Sequence, residues 1–185
     1  MDILAHGLWA GVGLVWAQRR WHLKRRTVIA TVGLAVLPDV VHLLPILAWA
    51  LFGGGSFAAV RAYALALPGN EPVFPPLIGL LSNHLHCVMH SAVVAGALTL
   101  LLRAVVGVWW IPLLGWWSHI VIDVFTHSSD FYPSPVFYPF TQWGFDGLAW
   151  NTPWFMGLNY VALVAVWAWM LRKRWQRRLH APDGR

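Results

Sequence analysis

Apolar residues along the chain gather into runs at 3–17, 27–52, 77–102, 104–125 and 154–171. Each is about long enough to cross the roughly 30 Å hydrocarbon core as a helix rising ~1.5 Å per residue, the first being short for it. Two of the interruptions are basic. QRRWHLKRR brings Arg19, Arg20, Lys24, Arg25 and Arg26, and RKRWQRR brings Arg172, Lys173, Arg174, Arg177 and Arg178. Positive charge beside apolar spans marks the cytoplasmic side. Threading the spans through these anchors places Arg103 on the same side and leaves only Arg61 outside. The pattern therefore predicts an all-α, polytopic membrane helix bundle of about five transmembrane helices, N-terminus out and C-terminus cytoplasmic. It reads as a single domain over 1–185, with a cytoplasmic basic loop 18–26, outer loops 53–76 and 126–153, and a basic tail 172–185. MDILAHG has no basic residue ahead of its apolar run, which reads as a mature helix rather than a cleaved leader.

Composition agrees with a lipid solvent. The 185 residues are 58% hydrophobic and 11% charged, with mean hydropathy +0.58 and 14 tryptophans, against about 25% charged residues in soluble domains. The net charge of +6 sits in the two clusters beside spans, so it signals topology and not nucleic acid. Cys87 is the only cysteine, which excludes an internal disulfide and any Cys-x-x-Cys motif; it reads as a small apolar filler. Glycine and proline in loop 53–76 preclude long regular structure. The aromatics of loop 126–153, Phe131, Tyr132, Phe137, Tyr138, Phe140, Trp143, Phe145 and Trp150, read as an interfacial belt or a lip. Asp130 and Asp146 read as solvated loop charges, as do His22 and His180 in the basic clusters.

Against that background the ionisable residues inside the runs stand out, because a charge at the bilayer centre costs roughly 2.5–3.5 kcal/mol on insertion scales. GWWSHIVIDVFTHSSD, 115–130, places His119, Asp123 and His127 at steps of four, on one helix face. LPDVVH places Asp39 and His42 one turn apart just after Pro38, which kinks its helix. In NHLHCVMHS, His86 and His90 share a face while His84 points elsewhere. His6 lies near the outer end of the first run, with Asp2 as its neighbour one turn away. By the predicted topology these residues occupy one slab between bilayer centre and outer surface, and the inner halves of the runs carry none.

Imidazole and carboxylate are ligands that divalent zinc and its neighbours accept, and a bound cation is the simplest partner for carboxylates at such depth. The candidate metal ligands are His6, Asp39, His42, His86, His90, His119, Asp123 and His127, with Asp123, His127 and Asp39 as candidate catalytic groups. Asp123 or Asp39 could bridge two ions. Ser82, Asn83, Ser91 and Ser118 could orient imidazoles through their second nitrogen or simply promote helix packing. Glu71 is a further candidate general base. The expected activity is metal-dependent hydrolysis of a phosphoester or ester of lipid type, the metal most simply zinc, in a bacterial-type inner membrane. The alternative is a transporter or ion-conducting protein using the same residues, which would want polar groups continuing inward. A haem carrier with paired histidines is disfavoured by the adjacent carboxylates.

The ordered series MDILAHG, LPDVVH, HCVMHS and GWWSHIVIDVFTH followed by VFYPF resembles the membrane-bound metal-dependent hydrolases described as LexA-regulated, over 2–140. The His-x-x-x-Asp step is also distantly similar to the zinc helix of phospholipase C and the P1-type nucleases, which implies phosphoester chemistry. The resemblance implies a metal site at His6, Asp39, His90, His119 and Asp123 above all, with His42, His86 and His127 beside them. One element departs from it. Where that family carries His-Arg-Gly-x-Thr-His-Ser, this chain has His86 to Ser91, one residue shorter and without the Arg and Thr, so an anionic substrate would fall to Arg61 or be of another kind.

Overall fold

A computed structural model describes residues 1–68 and 70–179, so His180 and the rest of the tail lie outside the described residues. They form seven helices and no strand: α1 Ile3–Ala17, α2 Arg25–Phe52, α3 Phe57–Ala64, α4 Pro76–Met89, α5 Ala92–Val106, α6 Leu113–Thr126 and α7 Pro153–Leu179. α2 is the hub, with α1, α4 and α6 all packed on it. Large apolar side chains face outward, among them Phe52, Leu114 and Val161, while His6, Asp39, His86, His90, His119, Asp123 and His127 are buried. That inversion suits a solvent in which the polar groups, not the apolar ones, must be withdrawn.

Fewer helices span than the apolar runs suggest. α2, with 28 residues, and Pro153–Gln176 of α7, with 24, are long and apolar enough to cross a membrane. A third span is available only if α4 and α5 count as one, and these are bent by 59° at their junction. The expected fourth run, 104–125, is likewise not one helix. α5 ends at Val106, where Gly107 takes the left-handed conformation (φ +77°) as its cap, and α6 starts only after Pro112. α1 and α6, with 15 and 14 residues, are ~21–23 Å long and short for a full crossing. Uniform hydropathy concealed these breaks, since apolar residues continue straight through them.

The α4–α5 break is closed by specific hydrogen bonds. Ser91 caps α5, accepting from the Val94 N–H at 3.1 Å and donating to the Tyr138 carbonyl at 2.6 Å. The Trp116 indole donates to the Met89 carbonyl at 2.6 Å, and the Ala92 N–H to the Val136 carbonyl at 2.9 Å. Backbone groups freed by the bend thus find partners inside the protein, as an apolar surrounding requires. The same economy holds at the end of α6, where the N–H groups of Gly147, Leu148 and Trp150 donate to the carbonyls of His127, Phe125 and Thr126. Loop 126–153 is therefore fixed at both ends, against the break and against α6.

α1 is capped by Asp2, whose Oδ1 accepts from the Ala5 N–H at 3.0 Å and from the Tyr160 hydroxyl at 2.9 Å. Trp9 donates to Asn159 of α7 at 2.9 Å. Arg19 and Lys173 both lie over the Trp169 ring, at 5.8 and 4.4 Å, so the two basic clusters meet at one end of the molecule. Loop 53–76 contains one short helix, α3, capped by Ser56.

The α2–α6 crossing depends on Gly115. A Cβ there would fall on the Thr31 carbonyl oxygen and within 3.0 Å of the Ala35 nitrogen, both backbone atoms of α2. Gly115→Ala is expected to destabilise the fold by about 1–3 kcal/mol through overpacking, read as a lower thermal unfolding midpoint of the detergent-solubilised protein. A Gly79→Ala control, also inside a helix but with nothing within 4 Å of the new methyl, is expected to hold or raise it.

Candidate metal centre

The close approach at Gly115 carries α6 past α2 so that His119, one turn on, donates from Nδ1 to the Ala35 carbonyl at 2.8 Å. His90 is likewise oriented by backbone. It is the C-cap of α4 and not part of a continuous helix, and its Nδ1 donates to the His86 carbonyl at 2.8 Å. A carbonyl can only accept, so both neutral rings hold their proton on Nδ1 and turn the Nε2 lone pair inward. These two Nε2 atoms are 3.0 Å apart. Asp123 Oδ2 lies 3.2 Å from His90 Nε2 and 3.1 Å from His119 Nε2, and Asp39 Oδ1 at 3.8 and 3.7 Å.

Asp39, His90, His119 and Asp123 thus present one donor atom each within 4.8 Å of one another, and all four residues are buried. Lone pairs converging in this way call for positive charge among them. Asp39 Oδ2 and Asp123 Oδ2 are buried oxygens without a hydrogen-bond partner, a costly state that a cation relieves. The group could hold a metal ion, through two imidazole nitrogens and two carboxylate oxygens and no thiolate. That donor set suits an oxygen- and nitrogen-binding divalent ion.

The other candidates surround this group at varying distance. His6 stacks on His119 with ring centroids 3.8 Å apart, and its Nε2 lies 2.9 Å from Asp123 Oδ1. His127 is not on the α6 face but at its extended C-cap, with Nε2 3.4 Å from Asp123 Oδ2 and Nδ1 unpartnered. The Met1 amino group pairs with Asp123 Oδ1 and lies 3.2 Å from His127 Nε2. His42 keeps its Nε2 3.9 Å from Asp39 Oδ1 and its Nδ1 3.2 Å from the Tyr63 hydroxyl. His86 stacks on His90 at 4.1 Å but sets its Nε2 against the Pro133 carbonyl, 3.3 Å away. His86 and His90 do share a face, with an i, i+4 backbone bond of 3.0 Å, but only His90 turns its Nε2 into the four-residue group.

Several expected helpers lie elsewhere. Ser82, Ser91 and Ser118 donate to backbone carbonyls, and the orienting of His90 and His119 falls to carbonyls of α2 and α4. His84 is exposed and bonded to Tyr138 at 2.8 Å. Arg61 is exposed along α3 and lines a separate surface depression with Phe57 and Leu65.

A cavity of about 330 Å³ opens beside the metal-ligand group, lined by Asp39, His42, His86 and His127 together with Tyr63, Phe131, Tyr132 and Trp150. Burial pushes the Tyr63 and Tyr132 hydroxyls up from the usual phenol range, so both stay neutral donors. Neither tyrosine carries a metal-ligand signature; Tyr132 was visible only as one of many aromatics in loop 126–153, and nothing marked Tyr63. A larger apolar groove of about 870 Å³ runs between α1 and α6, with Met1 common to both. It exists because α1 and α6 each pack on α2 and hardly touch one another.

No family model matches the chain, and neither a curated protein nor a solved structure does.

Removing one of the four converging ligands, as in His119→Ala, is expected to lower metal affinity by more than the 10–100-fold typical of outer-shell partners, measured as metal per chain after dialysis against a graded chelator. His84→Ala, outside the group, should keep the full metal content.

Proposed function

We propose that the chain is a membrane-embedded, metal-dependent hydrolase acting on an ester or phosphoester of lipid type, of the kind that the LexA-regulated resemblance implies. The observation that carries this reading is a buried group of two histidines and two aspartates, one of which, Asp39, lines a cavity in an otherwise apolar helix bundle. A purely structural role would leave lone pairs converging at a cost with no return.

Zinc is the ion proposed, and such an ion, when bound, lowers the pKa of water toward about 7 and polarises the oxygen under attack. His90, His119, Asp39 and Asp123 would hold it. Asp39 lines the cavity and can take the proton from the attacking water. His127, with Nε2 beside Asp123 and Nδ1 unpartnered, can donate a proton to the leaving oxygen, and solvent in the cavity then returns the proton held by Asp39 to His127. The balance is simple: water adds to the acyl carbon or phosphorus, the ester bond breaks, and acid and alcohol leave. The apolar groove between α1 and α6 suits a hydrocarbon chain whose reacting end enters beside Met1.

Because both basic clusters meet at one end of the molecule, the positive-inside rule supports a cytoplasmic assignment for that end, in a bacterial-type inner membrane. The transport alternative finds less support. Among the described residues, the groove on the side of the basic loop offers only Thr31 and Ser118 as polar side chains, which is no path for an ion.

The test is a screen of the metal-loaded protein in lipid nanodiscs against long-chain esters and phospholipids. Turnover is expected with the wild type. Asp123→Asn should cost at least about 100-fold, since an active-site group of this sort contributes on the order of 10²–10⁴-fold. Proton or ion flux in proteoliposomes without any hydrolysis would replace this reading with the transport one.

A further inference from the structure

Which scissile group the cavity accepts follows from what surrounds it. Asp2 and Asp39 line it and Asp123 lies just behind, while no lysine or arginine is among the lining residues. Against a divalent ion these three carboxylates leave no surplus of positive charge. The Met1 amino group is already paired with Asp123. Arg61, the one arginine in the two outer loops, lines a different depression. Bringing a dianion into such a site would leave it largely uncompensated in a low-dielectric surrounding, a cost of several kcal/mol.

Neutral hydrogen-bond donors are there instead. Tyr132 has φ +47°, a left-handed backbone conformation that is rare for an aromatic residue and strained. This conformation sets the ring against Tyr63 and Phe131, with centroids 5.4 and 4.9 Å away, and 6.3 Å from His86. Its hydroxyl is buried with that of Tyr63 as its polar neighbour, and no hydrogen bond closes on it. Tyr63, by contrast, is already engaged with His42. A strained residue that holds an unpartnered donor at the wall of a cavity is placed for a ligand oxygen and not for the fold.

We propose that the cavity takes a lipid whose scissile group carries at most one negative charge, a carboxylic ester or a phosphodiester and not a phosphomonoester, with one of its oxygens held by the Tyr132 hydroxyl. This rests on the metal-centre reading above and specifies its substrate class. The carbons next to the scissile group lie among Phe131, Trp150 and Leu4 while the rest of the chain runs past Met1 into the groove between α1 and α6, and the hydroxyl replaces the arginine that a phosphomonoester site would need.

Cobalt serves as a spectroscopic stand-in for the native ion. The cobalt-loaded full-length protein, in phosphatidylcholine nanodiscs at mildly alkaline pH, is titrated with octanohydroxamate, which binds metal as a monoanion, and with octyl phosphate, a dianion there because its second pKa is about 6–7. The hydroxamate is expected to shift the visible cobalt bands and to bind at least about tenfold more tightly than the phosphate. Tyr132→Phe should weaken the hydroxamate by roughly 3–10-fold, the loss of one hydrogen bond, with unchanged cobalt content. Tyr138→Phe, whose hydroxyl bonds exposed His84, should bind like the wild type. Equal or tighter binding of octyl phosphate overturns the charge argument, and full hydroxamate affinity in Tyr132→Phe overturns the role of the hydroxyl. Failure to take up cobalt at all is a different result, which defeats the metal centre and this proposal with it.

Discussion

Two imidazole lone pairs 3.0 Å apart, at His90 and His119, with two carboxylates beside them, cannot stay together in an apolar interior without positive charge to hold them. Much of the fold can be understood as a way to impose that juxtaposition. α2 supplies Asp39 and also the Ala35 carbonyl that fixes the His119 tautomer. α6 reaches that carbonyl only because Gly115 lets two backbones approach without an intervening side chain. The α4–α5 break leaves His90 as the last residue to close an i, i+4 backbone bond onto α4, with its ring directed into the group, and the Met89 carbonyl at the break is met by the Trp116 indole. Loop 126–153 then ties the bend to the end of α6. Each of these devices satisfies backbone groups that lipid could not satisfy, while leaving oxygens of Asp39 and Asp123 without donors. The buried polar atoms left without a hydrogen bond include His6 Nδ1 and Nε2, His127 Nδ1 and the Tyr132 hydroxyl as well, so the deficit gathers around the His/Asp group and its cavity.

The parts legible in the sequence were those with a chemical signature. Helical class followed from the apolar runs, and His119 and Asp123 declared themselves by their spacing and by their cost in such surroundings. Depth along the predicted helices brought His6, Asp39 and His90 toward them. What hydropathy could not supply was continuity. The runs 77–102 and 104–125 stay apolar through their breaks, so they read as whole spans, whereas α4, α5 and α6 are short pieces and only two or three spans remain. Ser91 as a helix cap and Gly107 as a left-handed terminus were the local signs of those breaks. His86 shares a face with His90 as its spacing implied, but its Nε2 is set toward the Pro133 carbonyl, a contact made by loop 126–153 that no period along the chain encodes. Tyr63 and Tyr132 lay beyond sequence reasoning altogether, because their place beside the site is set by two loops folding over it and not by any period.

The cavity and the groove extend this picture from ion to substrate. The polar group opens onto aromatic walls, and Met1 links these to an apolar channel between α1 and α6. A membrane lipid can lie in such a channel without leaving its solvent, so that only its polar end is transferred to the site.

The account stands on an ion bound by nitrogen and oxygen at the crossing of α2, α4 and α6. X-ray absorption of the purified protein, measured at the edge of whatever metal it carries, tests this most directly. The predicted result is a shell of nitrogen and oxygen neighbours at about 2.0–2.2 Å with the outer-shell scattering of roughly two imidazoles, and with no sulfur. A sulfur shell, which would implicate Cys87, or the absence of any bound transition metal would contradict it.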